Sequence, residues 1–158
     1  MTLVRLLFVA QLLGPPGSGA LQQQDSWAIL PAGETARAIR PCSRPSPPGL
    51  RGSWIPQVAD VAAAEVDLEA ATANAVRSLR RDLRPTAARG YYRQYVGAFL
   101  GDKRVLYVTG LSKAMVDRRP GVFHWRSKAF VGCDFGSQVF GAVFEMGSRR
   151  FVSFDFDY

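Results

Sequence analysis

The stretch YYRQYVGAFLGDKRVLYVTG, residues 91–110, constrains the fold more than any other part of the chain. Two apolar-rich runs flank Gly101-Asp102. A glycine opening a two-residue loop signals a type II′ hairpin, because that position needs positive φ. The turn sets the register: Phe99 faces Arg104, Gly97 faces Leu106, Tyr95 faces Val108, and Val96 meets Tyr107 on the opposite side. Side chains alternate across a strand. Val96, Val105 and Tyr107 therefore share one face, and Tyr95, Phe99, Leu106 and Val108 share the other. Both faces are apolar, and an uncovered apolar face of that breadth marks an interaction site. The sheet needs cover on both sides.

The C-terminal part adds strands. QVFGAVFEM and RRFVSFDFDY form a second hairpin around Gly147-Ser148, with Glu145 opposite Arg150 as a cross-strand ion pair. Alternation places Val152, Phe154, Phe156 and Tyr158 on one face and Ser153, Asp155 and Asp157 on a solvent face. SKAFVGCD, residues 127–134, reads as a fifth strand, and Leu111 to His124 as a long, basic, flexible loop. Upstream, Val58, Val61, Leu68, Ala75 and Leu79 recur at helical spacing. Asp60 lies in the first turn of this helix and Arg77, Arg80 and Arg81 in its last turns, both in the sense favoured by the helix dipole. Pro85 stops it. The expected fold is α+β: one amphipathic helix packed on an antiparallel β-meander of about five strands. One helix covers one face. The N-terminal segment, through Trp27, Ile29 and Leu30, is expected to cover the other.

Residues 1–20, MTLVRLLFVAQLLGPPGSGA, have the three-part pattern of a secretory signal peptide: Arg5, an apolar run from Leu3 to Leu13, then Pro-Gly and small residues. That run is shorter than the roughly 20 residues a membrane-spanning helix needs. Residues 21–53 read as an N-terminal segment and Pro-rich connector, and 54–158 as the α+β domain. Export, to the periplasm or beyond, implies an oxidising compartment. The two cysteines, Cys42 and Cys133, are then expected to pair and staple the connector to the sheet.

The formal net charge is +7. Lys113, Arg118, Arg119, Arg126 and Lys128 cluster as a candidate interaction surface for an anionic envelope component or another exported protein. No nucleic-acid-binding signature occurs, and export makes nucleic acid a poor partner. The sole histidine, His124, has no nucleophile or acid that sequence can assign to it. Cys42, His124 and Cys133 lack zinc-site spacing, and no cofactor is expected. Asp134, Glu145, Asp155 and Asp157 fit no EF-hand. Their convergence into a hydrolase site would be a matter of three dimensions.

SWIPQVAD (53–60), YYRQYVG (91–97), RVLYV (104–108), HWRSKAFVGCDFG (124–136) and VFGAVFEM (139–146) together resemble a family of small exported bacterial proteins. That family is marked by a Cys-x-Pro-rich leader, Trp-x-Pro, a Tyr-Arg-x-Gln-Tyr-x-Gly strand and Cys-Asp-x-Gly. In this chain Phe135 stands where relatives tend to have glycine, and the end is FDFDY. The resemblance spans roughly Cys42 to the C-terminus and implies relatives without an assigned activity. The order of elements also resembles the cystatin shape, although QYVG falls within a strand rather than an inhibitory loop. The expected function is an exported non-catalytic binding or interaction domain, inhibitor-like in outline. The alternative is an envelope hydrolase built from Asp134, Glu145 or Asp155.

Overall fold

The computed structural model describes residues 23–77 and 87–158. Residues 1–20, Leu79, Arg80, Arg81 and Pro85 lie outside them. The described strands are β1 (Gln23–Gln24), β2 (Trp27–Ile29), β3 (Leu50–Trp54), β4 (Tyr91–Leu100), β5 (Lys103–Ser112), β6 (Gly136–Glu145) and β7 (Arg150–Asp157). They form one sheet of seven strands in the order β1-β2-β4-β5-β6-β7, with β3 also pairing to β4. The described helices are α1 (Thr35–Ala38), α2 (Val58–Arg77) and α3 (Lys113–Asp117). The chain is thus α+β, with a long helix on a mostly antiparallel sheet.

The first hairpin has the expected register throughout, and Gly101 adopts φ 65° at its turn. QYVG lies inside β4. In the second hairpin Glu145 does face Arg150. A bulge between Phe151 and Ser153 departs from strict alternation: Val152 is half-exposed, and Phe151 packs with Phe154 against the helix-side core.

Three of the seven strands, β1, β2 and β3, come from the segment read as connector and N-terminal tail. β2 and β3 share one edge of β4. β2 runs parallel to its first half, pairing Ala28 with Gln94, and β3 runs antiparallel to its second, pairing Leu50 with Leu100. Residues 127–134 are not a strand. Side chains take their backbone donors: the amides of Ala129 and Phe130 bond to Glu34 and Gln94, and Asp134 turns left-handed at φ 60°. The expected flexible loop from Leu111 to His124 is instead ordered by the end of β5 and by α3, whose Met115 and Val116 are buried.

α2 begins where the Gln57 amide donates to the Asp60 carboxylate at 2.8 Å, half of a capping box. Its buried stripe is Val61, Ala64, Leu68 and Thr72, while Val58 is exposed. The stripe packs on Tyr91, Tyr95, Leu106, Val108 and Phe140. A side chain such as Leu68 contributes about 1.5–3 kcal/mol by this burial. Trp27 and Ile29 lie on this helix side, contrary to expectation. The opposite face is covered by Leu30, Ala38 and Ile39 over Val96, Val105 and Tyr107. Met115, Val116 and Trp125 cover its other end, over Leu111 and Val139. The N-terminal segment therefore does cover the second face, together with the segment after β5.

A polar clamp crosses the helix side. Arg93 donates twice to Glu65 of α2, from Nε at 3.0 Å and from a terminal nitrogen at 2.6 Å, and the Tyr95 hydroxyl donates to the same carboxylate. Burial, with the Glu65 carboxylate next, holds the Tyr95 phenol well above its ordinary value of 10.0. Burial also raises Tyr91. Both phenols stay protonated in the fold, whereas the unfolded chain ionises them near pH 10. Stability is full below that pH and is lost as pH rises toward the folded values, by about 1.4 kcal/mol per pH unit for Tyr95. A series of urea denaturations should show the midpoint falling from about pH 10 upward, less steeply in Tyr95→Phe. A parent midpoint that stays level through about pH 11.5 would contradict this.

Candidate functional site

Gln94 projects from β4 onto the face opposite α2, where it is buried. Its Nε2 donates to the carbonyls of Trp125 at 2.7 Å and Lys128 at 2.6 Å, and its Oε1 accepts from the Phe130 amide at 2.9 Å. The Glu34 carboxylate accepts from the Ala129 amide at 2.8 Å. The His124 carbonyl accepts from the amides of Ser127 and Lys128, both at 2.9 Å, which closes a turn. These bonds shape residues 124–130 into a wall that faces α1. A cavity of about 270 Å³ lies between them. Leu111 and Ala129 are buried in its lining, and Phe123, Trp125 and Phe130 give it aromatic sides. Val122 and Val131 remain 63% and 42% exposed at its edge.

Three basic side chains complete the lining: Arg37, His124 and Lys128, all exposed. Among the described residues, none of the three has a side-chain hydrogen bond or ion pair. Exposed cations beside an apolar hollow can take an anionic group without first breaking an existing pair.

The aromatic side is braced. Tyr92 stacks on Trp125 with centroids 4.4 Å apart, and the Arg126 guanidinium lies 4.4 Å over the Trp125 ring. The Tyr92 hydroxyl donates to Asp117 at 2.9 Å, and Lys113 sits 5.5 Å from the Tyr92 ring. Burial, then the Asp117 carboxylate, raises the Tyr92 phenol above 10.0 and keeps it a donor. The basic cluster expected from sequence is thereby divided. Lys113 and Arg126 sit against aromatics, and Arg118 and Arg119 are exposed just after α3. Lys128 alone lines the cavity. Arg37, from a segment far away in sequence, is the cation that sequence reasoning missed.

The carboxylates do not assemble there. Glu145 pairs with Lys103 at 3.1 Å near the second turn. Asp155 lies opposite Gly141, four residues along β6 from Glu145, about 13 Å at the usual strand rise. It accepts from the Ser153 hydroxyl at 3.1 Å. Asp134 is exposed beside Cys133. Asp157 is a correction: it is fully buried rather than solvent-facing. The Arg44 guanidinium donates to it at 2.8 Å and the Phe135 amide at 3.2 Å. Among the described residues, no group of three His, Cys, Asp or Glu is placed to hold a metal ion.

Cys42 and Cys133 form the expected disulfide, with Cα atoms 5.0 Å apart. The bridge delivers the connector to the sheet, where Arg44 crosses Gly141. A Cβ there would come within 2.2 Å of Arg44 Nε. Glycine is what lets the guanidinium lie against β6.

A second depression, about 460 Å³, runs between α2 and β7 past Ala70, Ala71, Asn74 and Phe151. It is open to solvent along its length and lacks the converging cations of the first. No helix of the described residues is long and apolar enough to cross a membrane. No family model, no curated protein and no solved structure matches this chain.

Proposed function

We propose that this chain is an exported, non-catalytic binding domain whose ligand site is the cavity between α1 and residues 122–131. The observation that carries the reading is the pair of cations Arg37 and Lys128, with the His124 imidazole beside them, all without side-chain partners among the described residues and placed around an apolar, aromatic-sided hollow. The disulfide supports the exported part, since such bridges persist in oxidising compartments. The hydrolase alternative has weaker support, because Glu145 and Asp155 stand apart and neither they nor Asp134 line this cavity.

The test uses the full chain expressed with its own N-terminus and recovered after export. Its intact mass should lack residues 1–20 and carry the Cys42–Cys133 bridge. An NMR screen of small fragments on this material should give shifts that concentrate on the amides of Leu111, His124, Ala129 and Val131. Retention of residues 1–20 would remove the export argument. Shifts that avoid these amides, or hydrolytic turnover abolished by Glu145→Gln or Asp155→Asn, would overturn the binding reading.

A further inference from the structure

We infer that the cavity takes a monoanionic carboxylate carried on one compact apolar or aromatic group; this rests on the binding reading above. Three observations lead to it.

The first is size. A dry cavity of about 150 Å³ accommodates benzene, and pockets for drug-sized ligands begin near 300 Å³. At about 270 Å³ the hollow holds a phenyl or branched aliphatic group with a short link.

The second is the wall. Phe123 and Phe130 stand with centroids 5.9 Å apart, tilted by 45°, and Leu111 is fully buried in the lining. Such a surface gains by covering apolar area and offers an inserted ring edge and face contacts.

The third is charge. Arg37 and Lys128 are formally positive and His124 is counted neutral. Glu34 is the nearby carboxylate, three residues before Arg37 and bonded to the Ala129 amide. Two positive charges against one negative leave one to neutralise. A singly charged carboxylate meets that balance and can accept from the Arg37 fork. A dianionic phosphate would exceed it, and an amine would be repelled. The same chemistry is available from a free small acid or from the C-terminal residue of a peptide ending in an apolar side chain.

The experiment titrates the disulfide-bonded chain by NMR with 3-phenylpropionate, its neutral amide, phenyl phosphate and N-acetyl-Gly-Phe with a free C-terminus. The carboxylates should bind at least about tenfold more tightly than the neutral amide, with shifts centred on Leu111, Ala129 and Val131. Arg37→Gln and Lys128→Gln should each weaken the carboxylates by roughly three- to tenfold and leave the amide unchanged. Both side chains are exposed, so the melting transitions should match the parent. Tighter binding of the peptide than of the free acid would identify a chain terminus as the source, and the reverse a small metabolite. Equal binding of acid and amide, or preference for the phosphate, would overturn the ligand class while leaving the cavity as a binding site. Shifts at the cavity with none of the four probes would overturn the class and the site together.

Discussion

Replacing both Cys42 and Cys133 by serine should lower the stability of the domain by about 4.6 kcal/mol in the chain-entropy model. The bridge spans 91 residues of sequence, so the unfolded chain gains a large ensemble when it is opened. The same expansion exposes more surface on unfolding. The dependence of stability on urea should therefore steepen as the midpoint falls. A local effect adds to the global one. Cys42 is two residues before Arg44, and the neighbouring Asp134 amide donates to the Ser43 hydroxyl across the bridge. Opening the bridge frees both segments of this contact. Urea denaturation of the double-serine variant, beside the oxidised parent, measures the sum. A loss below about 1 kcal/mol would mean that the β2 and β3 pairings alone anchor the connector.

Arg44→Met should cost about 3–5 kcal/mol, because it strands the Asp157 carboxylate in the interior. Asp157 is fully buried, and among the described residues the substitution leaves its carboxylate only the Phe135 amide, at 3.2 Å. The cost belongs to the orphaned charge more than to the lost attraction. Arg44→Met combined with Asp157→Leu should then recover most of the loss, since a well-packed apolar pair often matches a buried ion pair. Arg44 Nε makes no hydrogen bond among the described residues, so the native pair itself carries an unpaid donor. Urea midpoints of the three variants decide the matter. A double variant as unstable as Arg44→Met alone would show that the guanidinium stabilises by packing over Gly141 rather than by pairing. The two perturbations share the connector, so their costs should not add when combined.

Gln94, Arg93, Tyr95 and Trp54 each have an architectural role. Gln94 holds the cavity wall, and Arg93 and Tyr95 clamp α2 through Glu65. The Trp54 indole donates to the carbonyl of Ala98 at 2.9 Å.

What the sequence determined by itself was local. Gly101 set the register of β4 and β5, because one turn geometry admits one pairing. Glu145 and Arg150 fixed only the pairs next to the second turn, because a bulge shifts the rest of β6 and β7 by one residue. Helical spacing placed α2, and an even pair of cysteines placed the bridge. Tertiary structure decided what depended on distant partners. β2 and β3 are too short to announce themselves and exist because β4 offers them an unpaired edge. Residues 127–134 have strand composition, yet Gln94 and Glu34 take their amides and bend them away from any ladder. Asp157 alternates like a solvent-facing residue, and only the bridged connector brings Arg44 down to bury it. The cavity is the extreme case: Arg37 is far along the chain from Leu111 and residues 122–131. Periodicity records which way a side chain points along one element. It carries no record of which other element arrives to meet it.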